Sequence, residues 1–381
     1  MVAIMFVRRA QIVAVVVFCC LAAAAASADR LKDEEYLRGA KETPREAFTA
    51  WVEKYGKGYE EGSEEFEARY ETWLYNLDYV TEYNKKHSSH WLSLNKLADR
   101  YPEEYGRMLG TRVPEHWVRR PEVDEAHGDQ DGVGLESILY DSTDWRDFGA
   151  VTEVKDQGDC GSCWAFSAVG AIEGMNALYT GNLFSLSEQE LVDCDGLDFG
   201  CDGGFMLDAY NFTRRHGLTK ESMYDYKAME GWCDHMEERQ YYAKVDGYEL
   251  VPQTEYQLIN NLQMQPISVA IEAGSKSFML YAGGIYDAPC GTFLNHGVLA
   301  VGYNMTTIHN NHKGYFIIKN SWGTDWGEDG YIKFKMGLDG GMGQCGIAIA
   351  ASYPYMEYDV GDAEVRTSAW PRSAGGAFAT T

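Results

Sequence analysis

The most reactive part of the sequence is residues 157–164, which read QGDCGSCW. Its two cysteines could form a redox couple or half of a zinc site. A redox pair is expected early in a βαβ unit, but no such unit precedes residues 157–164. A zinc site needs a second closely spaced Cys or His pair, and no such pair follows. The third possibility places Cys163 at the start of a helix, where unpaired N–H groups and the positive dipole end favour a thiolate. We therefore expect Cys163 to be a nucleophile.

Two residues far downstream could serve this nucleophile. His296 follows Cys163 by 133 positions and Asn320 follows it by 157. A lone histidine between apolar residues usually belongs to a core, and a lone asparagine in a turn usually serves the turn. An imidazole can, however, stabilise a thiolate and later protonate a leaving group. A CGSCW-type cysteine followed at this distance by His and Asn is a signature of one protease family, so the three residues are candidate catalytic groups.

The first 28 residues have the pattern of an export signal. Arg8 and Arg9 precede an apolar core, and Ala26-Ser27-Ala28 is a small-residue cleavage site. The apolar run is shorter than the ~20 residues that span a bilayer, so an uncleaved anchor is the less favoured interpretation. We expect the chain to enter the secretory pathway.

Seven of the nine cysteines follow the export signal. An odd number in an oxidising compartment indicates three disulfides and one free thiol, and six paired cysteines allow 15 connectivities. The 33 basic and 58 acidic residues give a formal net charge of −25, which argues against nucleic acid or an anionic membrane as the main partner. At about 150 residues per domain, 381 residues suggest two or three folded units.

Residues 29–120 contain no cysteine and are predicted to be helical. One helix is predicted from about Ser63 to Lys86, with an aromatic stripe at steps of three and four: Phe66, Tyr70, Trp73, Leu77 and Val80. Such a helix either packs in its own small bundle or docks on another unit. Residues 121–140 hold six acids and neither Lys nor Arg, which predicts an exposed linker open to proteolysis.

The remainder, up to Tyr355, is predicted to be helical first and strand-rich later. Three helices are expected here. The first runs from Cys163 to Leu178 and is closed by Gly181, the second follows a capping box at Ser187, and the third runs from Phe205 to His216. Strands are expected at Ile267–Ala273, Val298–Tyr303, Tyr315–Lys319 and Tyr331–Lys335. The last 26 residues have no periodicity and are expected to form a flexible tail.

Together these motifs resemble the papain family of cysteine proteases, cathepsin L type, over most of the chain. The resemblance implies an α+β fold with a helical left half, a β-barrel-like right half and the active-site cleft between them, preceded by a helical prosegment. It divides the chain into a signal peptide (1–28), an inhibitory propeptide (29–138), a mature peptidase domain (139–355) and a tail (356–381). The aromatic stripe is then expected to dock on the mature domain.

Two propeptide motifs support the resemblance. The spaced helix motif ERFNIN is matched with Trp and Val in place of Phe and Ile, at Glu65, Arg69, Trp73, Asn76, Val80 and Asn84. The GNFD motif is degraded, since only Asn95 and Asp99 remain of it. Protonation of the prosegment's acids is expected to release it at low pH.

The resemblance also implies roles for individual residues. Cys163 would be the nucleophile, His296 the general base and acid, Asn320 the residue that orients the imidazole, and Gln157 a donor of the oxyanion hole beside the Cys163 N–H. Trp322 would shield the His–Asn hydrogen bond from solvent. The implied disulfides are Cys160–Cys201, Cys194–Cys233 and Cys290–Cys345.

Substrate binding is implied for a second set of residues. The bare backbone of Gly203 and Gly204 would pair with an extended substrate. The specificity pocket would be apolar and would favour Leu, Phe or Val two residues before the scissile bond (P2). The expected substrate-binding set is Gly203, Gly204, Phe205, Met206, Ala270, Leu294, Asn295, Trp322 and Ala350.

The function expected from this resemblance is a cysteine endopeptidase made as a zymogen, with protein and peptide substrates and its own propeptide as intramolecular inhibitor. It needs no metal or organic cofactor, and we expect a monomer that binds neither nucleic acid nor, after signal cleavage, a membrane. Asn304 and Asn211 lie in glycosylation sequons, with Asn304 favoured because it is expected in a loop. His309 and His312 are interpreted as a solvated loop. The destination could be the lysosome, a vacuole or the extracellular space.

Two alternatives use the same scaffold. A catalytically silent binding or storage protein would commonly have lost the nucleophile, which this sequence keeps. A transpeptidase would join peptides instead of hydrolysing them.

Overall fold

The computed structural model describes residues 28–118, 140–233, 241–306, 313–337 and 341–357. The predicted export signal, most of the linker, His309, His312 and the tail from residue 358 lie outside these ranges. We call residues 28–118 the N-terminal segment and residues 140–357 the main domain. Within the described ranges, no helix is long and apolar enough to cross a membrane.

The N-terminal segment is helical, as predicted. Its described elements are α1 (seen over 28–42), α2 (Pro44–Lys54), α3 (Glu64–Lys86), the short strand β1 (His90–Leu92), α4 (Pro102–Arg107) and α5 (Glu115–Val118). Ser63 caps α3 by accepting a hydrogen bond from the Phe66 N–H, and acids fill its first turn. The predicted bounds of this helix therefore hold to within one residue.

The aromatic stripe of α3 packs differently from the expectation. The Phe48 ring of α2 lies 4.9 Å from Phe66, 5.4 Å from Tyr70 and 5.5 Å from Trp73, measured between ring centroids. The expectation that these rings dock on the mature domain is wrong, because α2 already buries them within the N-terminal segment. Contact with the main domain comes instead from Tyr75, whose ring lies 4.0 Å from Lys276 Nζ.

Five helices of the main domain are described: α6 (Cys163–Thr180), α7 (Glu188–Cys194), α8 (Met206–His216), α9 (Glu255–Leu262) and α10 (Lys276–Met279). The longest, α6, begins at Cys163 as predicted and ends at Gly181, whose φ of 76° is a left-handed conformation. Ser187 caps α7 through the Glu190 N–H, and α8 ends at Gly217. The short helices α9 and α10 were not predicted.

The second half of the main domain is a mixed sheet. Its strands are β2 (Ser142–Asp144), β3 (Gly247–Leu250), β4 (Ile267–Ile271), β5 (Tyr281–Tyr286), β6 (His296–Asn304), β7 (Tyr315–Lys319), β8 (Tyr331–Lys335) and β9 (Ala351–Tyr355). The order is β1-β5-β8-β7-β6-β4-β9-β3, with β2 also paired to β6. β7 and β8 have the predicted bounds, β4 ends two residues early, and β6 begins two residues early, at His296.

The helical and sheet halves meet along α6. Gly170 of α6 approaches β6 so closely that an added Cβ would lie 2.8 Å from a Leu299 methyl carbon. Because Cys163 starts α6 and His296 starts β6, this packing fixes the two residues on opposite sides of one seam.

The described cysteines form three disulfides, and these join the pairs that the resemblance implies. The S–S distances are 2.02 Å for Cys160–Cys201, 2.07 Å for Cys194–Cys233 and 2.22 Å for Cys290–Cys345. Among the described cysteines, Cys163 is the free one.

Candidate active site

The free thiol of Cys163 lies at the seam, fully buried at the first position of α6. Burial alone would raise the pKa of this thiol. The charge of His296 and a hydrogen bond from it act in the opposite direction, helped by the Gly297 backbone and the Thr111 hydroxyl, and together they lower the pKa to about 7. The site therefore favours a thiolate near neutral pH.

The His296 ring is held by two neighbours. Its Nε2 lies 2.8 Å from Asn320 Oδ1, and since an amide oxygen only accepts, Nε2 carries the proton of this hydrogen bond. Trp322 stacks on the ring, with centroids 4.8 Å apart, and is fully buried. The imidazole is thus fixed in orientation, and Nδ1 is the nitrogen left for the thiol.

The Gln157 side chain is fixed through its oxygen. Oε1 accepts hydrogen bonds from Ser321 Oγ at 2.6 Å and from Trp322 Nε1 at 3.1 Å. Nε2 consequently points the other way, where it donates to the carbonyl oxygens of Met108 at 2.8 Å and Cys160 at 2.9 Å. One of these acceptors belongs to the N-terminal segment.

The chain after α4 runs through the cleft over these residues. Gly204 N–H donates to Gly110 O at 2.9 Å, and Arg112 N–H donates to Gly204 O at 2.8 Å. The Thr111 N–H donates to Asn295 O at 3.1 Å, while the Thr111 hydroxyl lies 3.2 Å from Cys163 Sγ. The N-terminal segment therefore covers the thiol and pairs with the backbone at Gly204.

Gly110 is the tightest point of this crossing. A Cβ at this position would lie 1.8 Å from Gly161 O, a separation that no side chain tolerates. Met108, Gly110 and Thr111 are site residues that the sequence alone does not predict. Nothing in their local pattern marks them, because their contacts are with main-domain residues 49 or more positions away.

The predicted specificity residues come together beside the cleft. Phe205, Met206, Ala270 and Leu294 are buried in one cluster, and Ala350 packs against it. The same cluster is covered by two side chains of the N-terminal segment, Val113 and Trp117. The Trp117 and Phe205 rings are 6.5 Å apart. The predicted specificity residues thus belong to one apolar cluster of the main domain.

Comparison with known proteins identifies the family. Residues 139–355 match the model of the papain family cysteine proteases, and residues 48–105 match the cathepsin propeptide inhibitor domain. The chain belongs to the papain family of cysteine proteases. Its fold is the papain-like fold with helical and sheet subdomains and an N-terminal propeptide.

Individual relatives are similar over most of the chain. Papain from Carica papaya is 41% identical over 309 residues, which cover 81% of this chain and 86% of papain. Cysteine proteinase RD21A from Arabidopsis thaliana is 45% identical over 313 residues, covering 81% of this chain; the match spans 65% of that relative's length.

Solved proforms have the same architecture. The crystal structure of the Amb a 11 cysteine protease, a ragweed pollen allergen, in its proform gives a TM-score of 0.72 at 34% identity, covering 82% of this chain and 96% of that chain. Digestive procathepsin L 3 of Tenebrio molitor gives 0.69 at 36% identity, covering 82% and 99%.

The two predicted glycosylation sites, Asn304 and Asn211, lie in regular secondary structure. Asn304 is the last residue of β6, not a loop residue as expected, and its Oδ1 accepts from the N–H and hydroxyl of exposed Thr306. Asn211 lies on α8, next to buried Phe212 and Thr213. The described residues contain no group of three or more His, Cys, Asp or Glu side chains that could hold a metal ion.

Proposed function

We propose that the chain is the zymogen of a cysteine endopeptidase that hydrolyses peptide bonds in proteins and peptides. The observation that carries the proposal is the Met108 carbonyl oxygen, which Gln157 Nε2 binds at 2.8 Å beside the Cys163 thiol. A peptide carbonyl of the N-terminal segment thus already accepts from the donor that would bind the oxyanion of a substrate.

The proposed chemistry is acyl transfer in two steps. The Cys163 thiolate attacks the scissile carbonyl carbon, and His296 protonates the leaving amine, which gives an acyl-enzyme. His296 then takes a proton from water, which hydrolyses the thioester. Asn320 keeps the imidazole in position through the 2.8 Å hydrogen bond, and Trp322 excludes water from that bond.

The oxyanion of the tetrahedral intermediate would accept from Gln157 Nε2 and the Cys163 N–H. Both Oε1 hydrogen bonds of Gln157 hold its amide before substrate arrives, so no reorganisation is needed. One such preorganised donor contributes about 3 kcal/mol to transition-state stabilisation.

The proposed specificity is for an apolar P2 residue such as Leu, Phe or Val. The pocket contains no charged side chain among its five residues, and Val113 and Trp117 of the N-terminal segment cover it. Gly203 and Gly204 would pair with the substrate backbone, as Gly204 does with Gly110 and Arg112 here. Asn295 would line the same cleft.

The N-terminal segment acts in this proposal as an intramolecular inhibitor. The proposed boundaries are a signal peptide at 1–28, a propeptide at 29–138, the mature domain at 139–355 and a tail at 356–381. Acid would release the propeptide from the cleft.

Export through the secretory pathway is proposed from the N-terminal pattern and agrees with three disulfides. The final site would be a lysosome, a vacuole or the extracellular space. Asn304 is the proposed glycosylation site, ahead of Asn211. The mature enzyme would act as a monomer. It would need no metal or cofactor and would bind neither nucleic acid nor a membrane.

The test begins with the chain from Asp29, acidified to about pH 4.5 with a thiol reductant. Loss of about 110 N-terminal residues together with rising cleavage of a peptide with Phe or Leu at P2 is the expected result. The matched control is Cys163→Ala, which should show neither change. If propeptide removal by another protease still yields no Cys163-dependent cleavage, a silent binding or storage protein is the better interpretation. Ligated products with an added amine would indicate a transpeptidase.

A further inference from the structure

A tyrosine outside the motif residues bridges the two chain segments that carry the oxyanion donors. Tyr226 lies in the loop after the turn Glu221–Met223. Its hydroxyl donates to the Gln157 carbonyl oxygen at 2.9 Å and lies 2.6 Å from Ser162 Oγ. Its ring packs edge-to-face on Phe166 of α6, with centroids 4.9 Å apart. The hydroxyl therefore contacts Gln157, whose side chain supplies one oxyanion donor. It also contacts Ser162, the neighbour of Cys163, whose N–H supplies the other donor.

The hydrogen-bond directions follow from counting protons. Tyr226 has a single hydroxyl proton, and the Gln157 carbonyl takes it. The hydroxyl proton of Ser162 must then be the one donated to Tyr226, at 2.6 Å. Ser162 is fully buried, so this pairing satisfies a hydroxyl that has no access to water.

This pairing also explains why Ser162 does not cap its helix. Serine at an N-cap usually accepts a hydrogen bond from an N–H in the first turn. Ser162 is the N-cap of α6 but makes no such bond, whereas Ser63 and Ser187 cap α3 and α7 in the usual way. Because Tyr226 holds the Ser162 hydroxyl, the first turn of α6 keeps its N–H groups clear of that side chain.

We propose that Tyr226 is a positioning residue for the oxyanion site, acting through the Gln157 backbone and the Ser162 side chain. It fixes the distance between the Gln157 amide and the Cys163 N–H without touching the substrate. The assignment rests on the function proposed above, and it deepens the account of the same site.

The kinetic test compares Tyr226→Phe with Tyr224→Phe after activation. The Tyr224 hydroxyl, two residues away, bonds Asp193 Oδ2 at 2.9 Å and thus provides a matched control in the same loop. We expect Tyr226→Phe to lower kcat about tenfold with KM unchanged, because a small misplacement of the donors weakens the transition state and not the ground state. A peptide aldehyde, which forms an oxyanion-like adduct with the thiol, should lose affinity by a similar factor.

A second measurement needs no activity. In the zymogen, the Gln157 side-chain amide is bonded to Met108 O and Cys160 O, and its N–H signals can be assigned by their loss in Gln157→Ala. We expect these protons to exchange with solvent faster in Tyr226→Phe than in wild type or Tyr224→Phe.

The outcomes separate this inference from the proposed function. Equal exchange in all three proteins would overturn the positioning role, whatever the activity. Equal kcat in the two variants, with an active wild type, would also overturn it. An inactive wild type with faster exchange in Tyr226→Phe would support the role of Tyr226 in holding Gln157 and would overturn the proposed function alone.

Discussion

At the scale of single residues, the surroundings of Cys163 decide its protonation state. The thiol is fully buried, and burial opposes the thiolate. His296 reverses the sign of the shift and brings the pKa to about 7. The low pKa of the thiol is therefore a property of the Cys163–His296 pair.

The first prediction is that His296→Gln raises the pKa of Cys163 above the ordinary value of 9.0. Removing His296 leaves burial as the largest influence, and burial favours the neutral thiol. Titration of the ultraviolet thiolate absorbance in the intact zymogen measures this, because the other described cysteines are in disulfides. His216→Gln, at the end of α8, is the control and should leave the pKa near 7. A pKa near 7 in His296→Gln would show that His296 is not the cause.

At the scale of elements, the stretch from Met108 to Val113 covers the cleft. It lies across the cleft with backbone hydrogen bonds to Gly204 and Asn295, and Gly110 rests against Gly161. Gly110→Ala would place a methyl group 1.8 Å from Gly161 O, so this stretch must leave the cleft or the cleft must open.

We expect Gly110→Ala to expose the thiol in the uncleaved zymogen. Alkylation of Cys163 by iodoacetamide at neutral pH should accelerate about tenfold or more, since overpacking against backbone costs about 1–3 kcal/mol. Gly106→Ala is the matched control, because a Cβ on that glycine of α4 meets nothing within 4 Å. Equal alkylation rates in the two variants would mean that the stretch yields without uncovering the thiol.

The helices and strands also show how much of the fold can be predicted from the sequence. α3, α6, α8, β7 and β8 have strong caps or β-branched runs, and their bounds are close to prediction. β5 (YAGGIY) and β9 (ASYPY) contain glycine or proline, which hide a strand from local pattern; both are built by long-range pairing. Periodicity shows that α3 has an apolar face, but not that Phe48 covers it. The motif residues of the site can be predicted because each lies in a recognisable local sequence. Gly110 cannot be predicted, because it lies in no such sequence.

At the scale of the whole molecule, the N-terminal segment docks on both halves of the main domain. It extends the sheet through β1 and β5, with His90 opposite Gly284, and it pairs with Gly204 beside the helical half. Asn95 adds a side-chain hydrogen bond to Met279 O at 2.9 Å. Acid release would therefore require groups whose protonated form is disfavoured in the docked state, that is, groups whose pKa is lower there.

Two carboxylates of the segment, Glu104 and Asp33, contribute little to release at pH 4.5. Hydrogen bonds from Arg69 lower the pKa of Glu104 from 4.5 to about 2, which has the required sign, but this stabilisation is lost mainly below pH 4.5. Burial raises the pKa of Asp33, so its protonation favours the docked state. His90 has the required sign: burial lowers its pKa from 6.5 to about 4, against the opposing effect of Asp287.

His90 is fully buried where β1 pairs with β5, and the groups that face it come from several elements. Nε2 lies 2.8 Å from the Tyr83 hydroxyl and Nδ1 lies 3.1 Å from Asp287 Oδ1, while His87 and Arg30 add positive charge nearby. A neutral imidazole fits this site better than a charged one. The docked state is then fully stable above pH 6.5 and becomes less stable as pH falls through 6.5 towards 4. At pH 4.5 the docking equilibrium constant is lower by roughly 80-fold.

The last prediction follows from this linkage. In the Cys163→Ala zymogen, which cannot process itself, protection of the β1–β5 amides from hydrogen exchange should fall between about pH 7 and about pH 4, after correction for intrinsic rates. His90→Phe keeps an aromatic ring against Tyr286, whose centroid is 4.9 Å away, but cannot take a proton, so its loss of protection should move to lower pH. His216→Gln, at an exposed position at the end of α8, is the control and should follow the parent profile. Identical profiles in His90→Phe and the parent would assign acid release to groups other than His90.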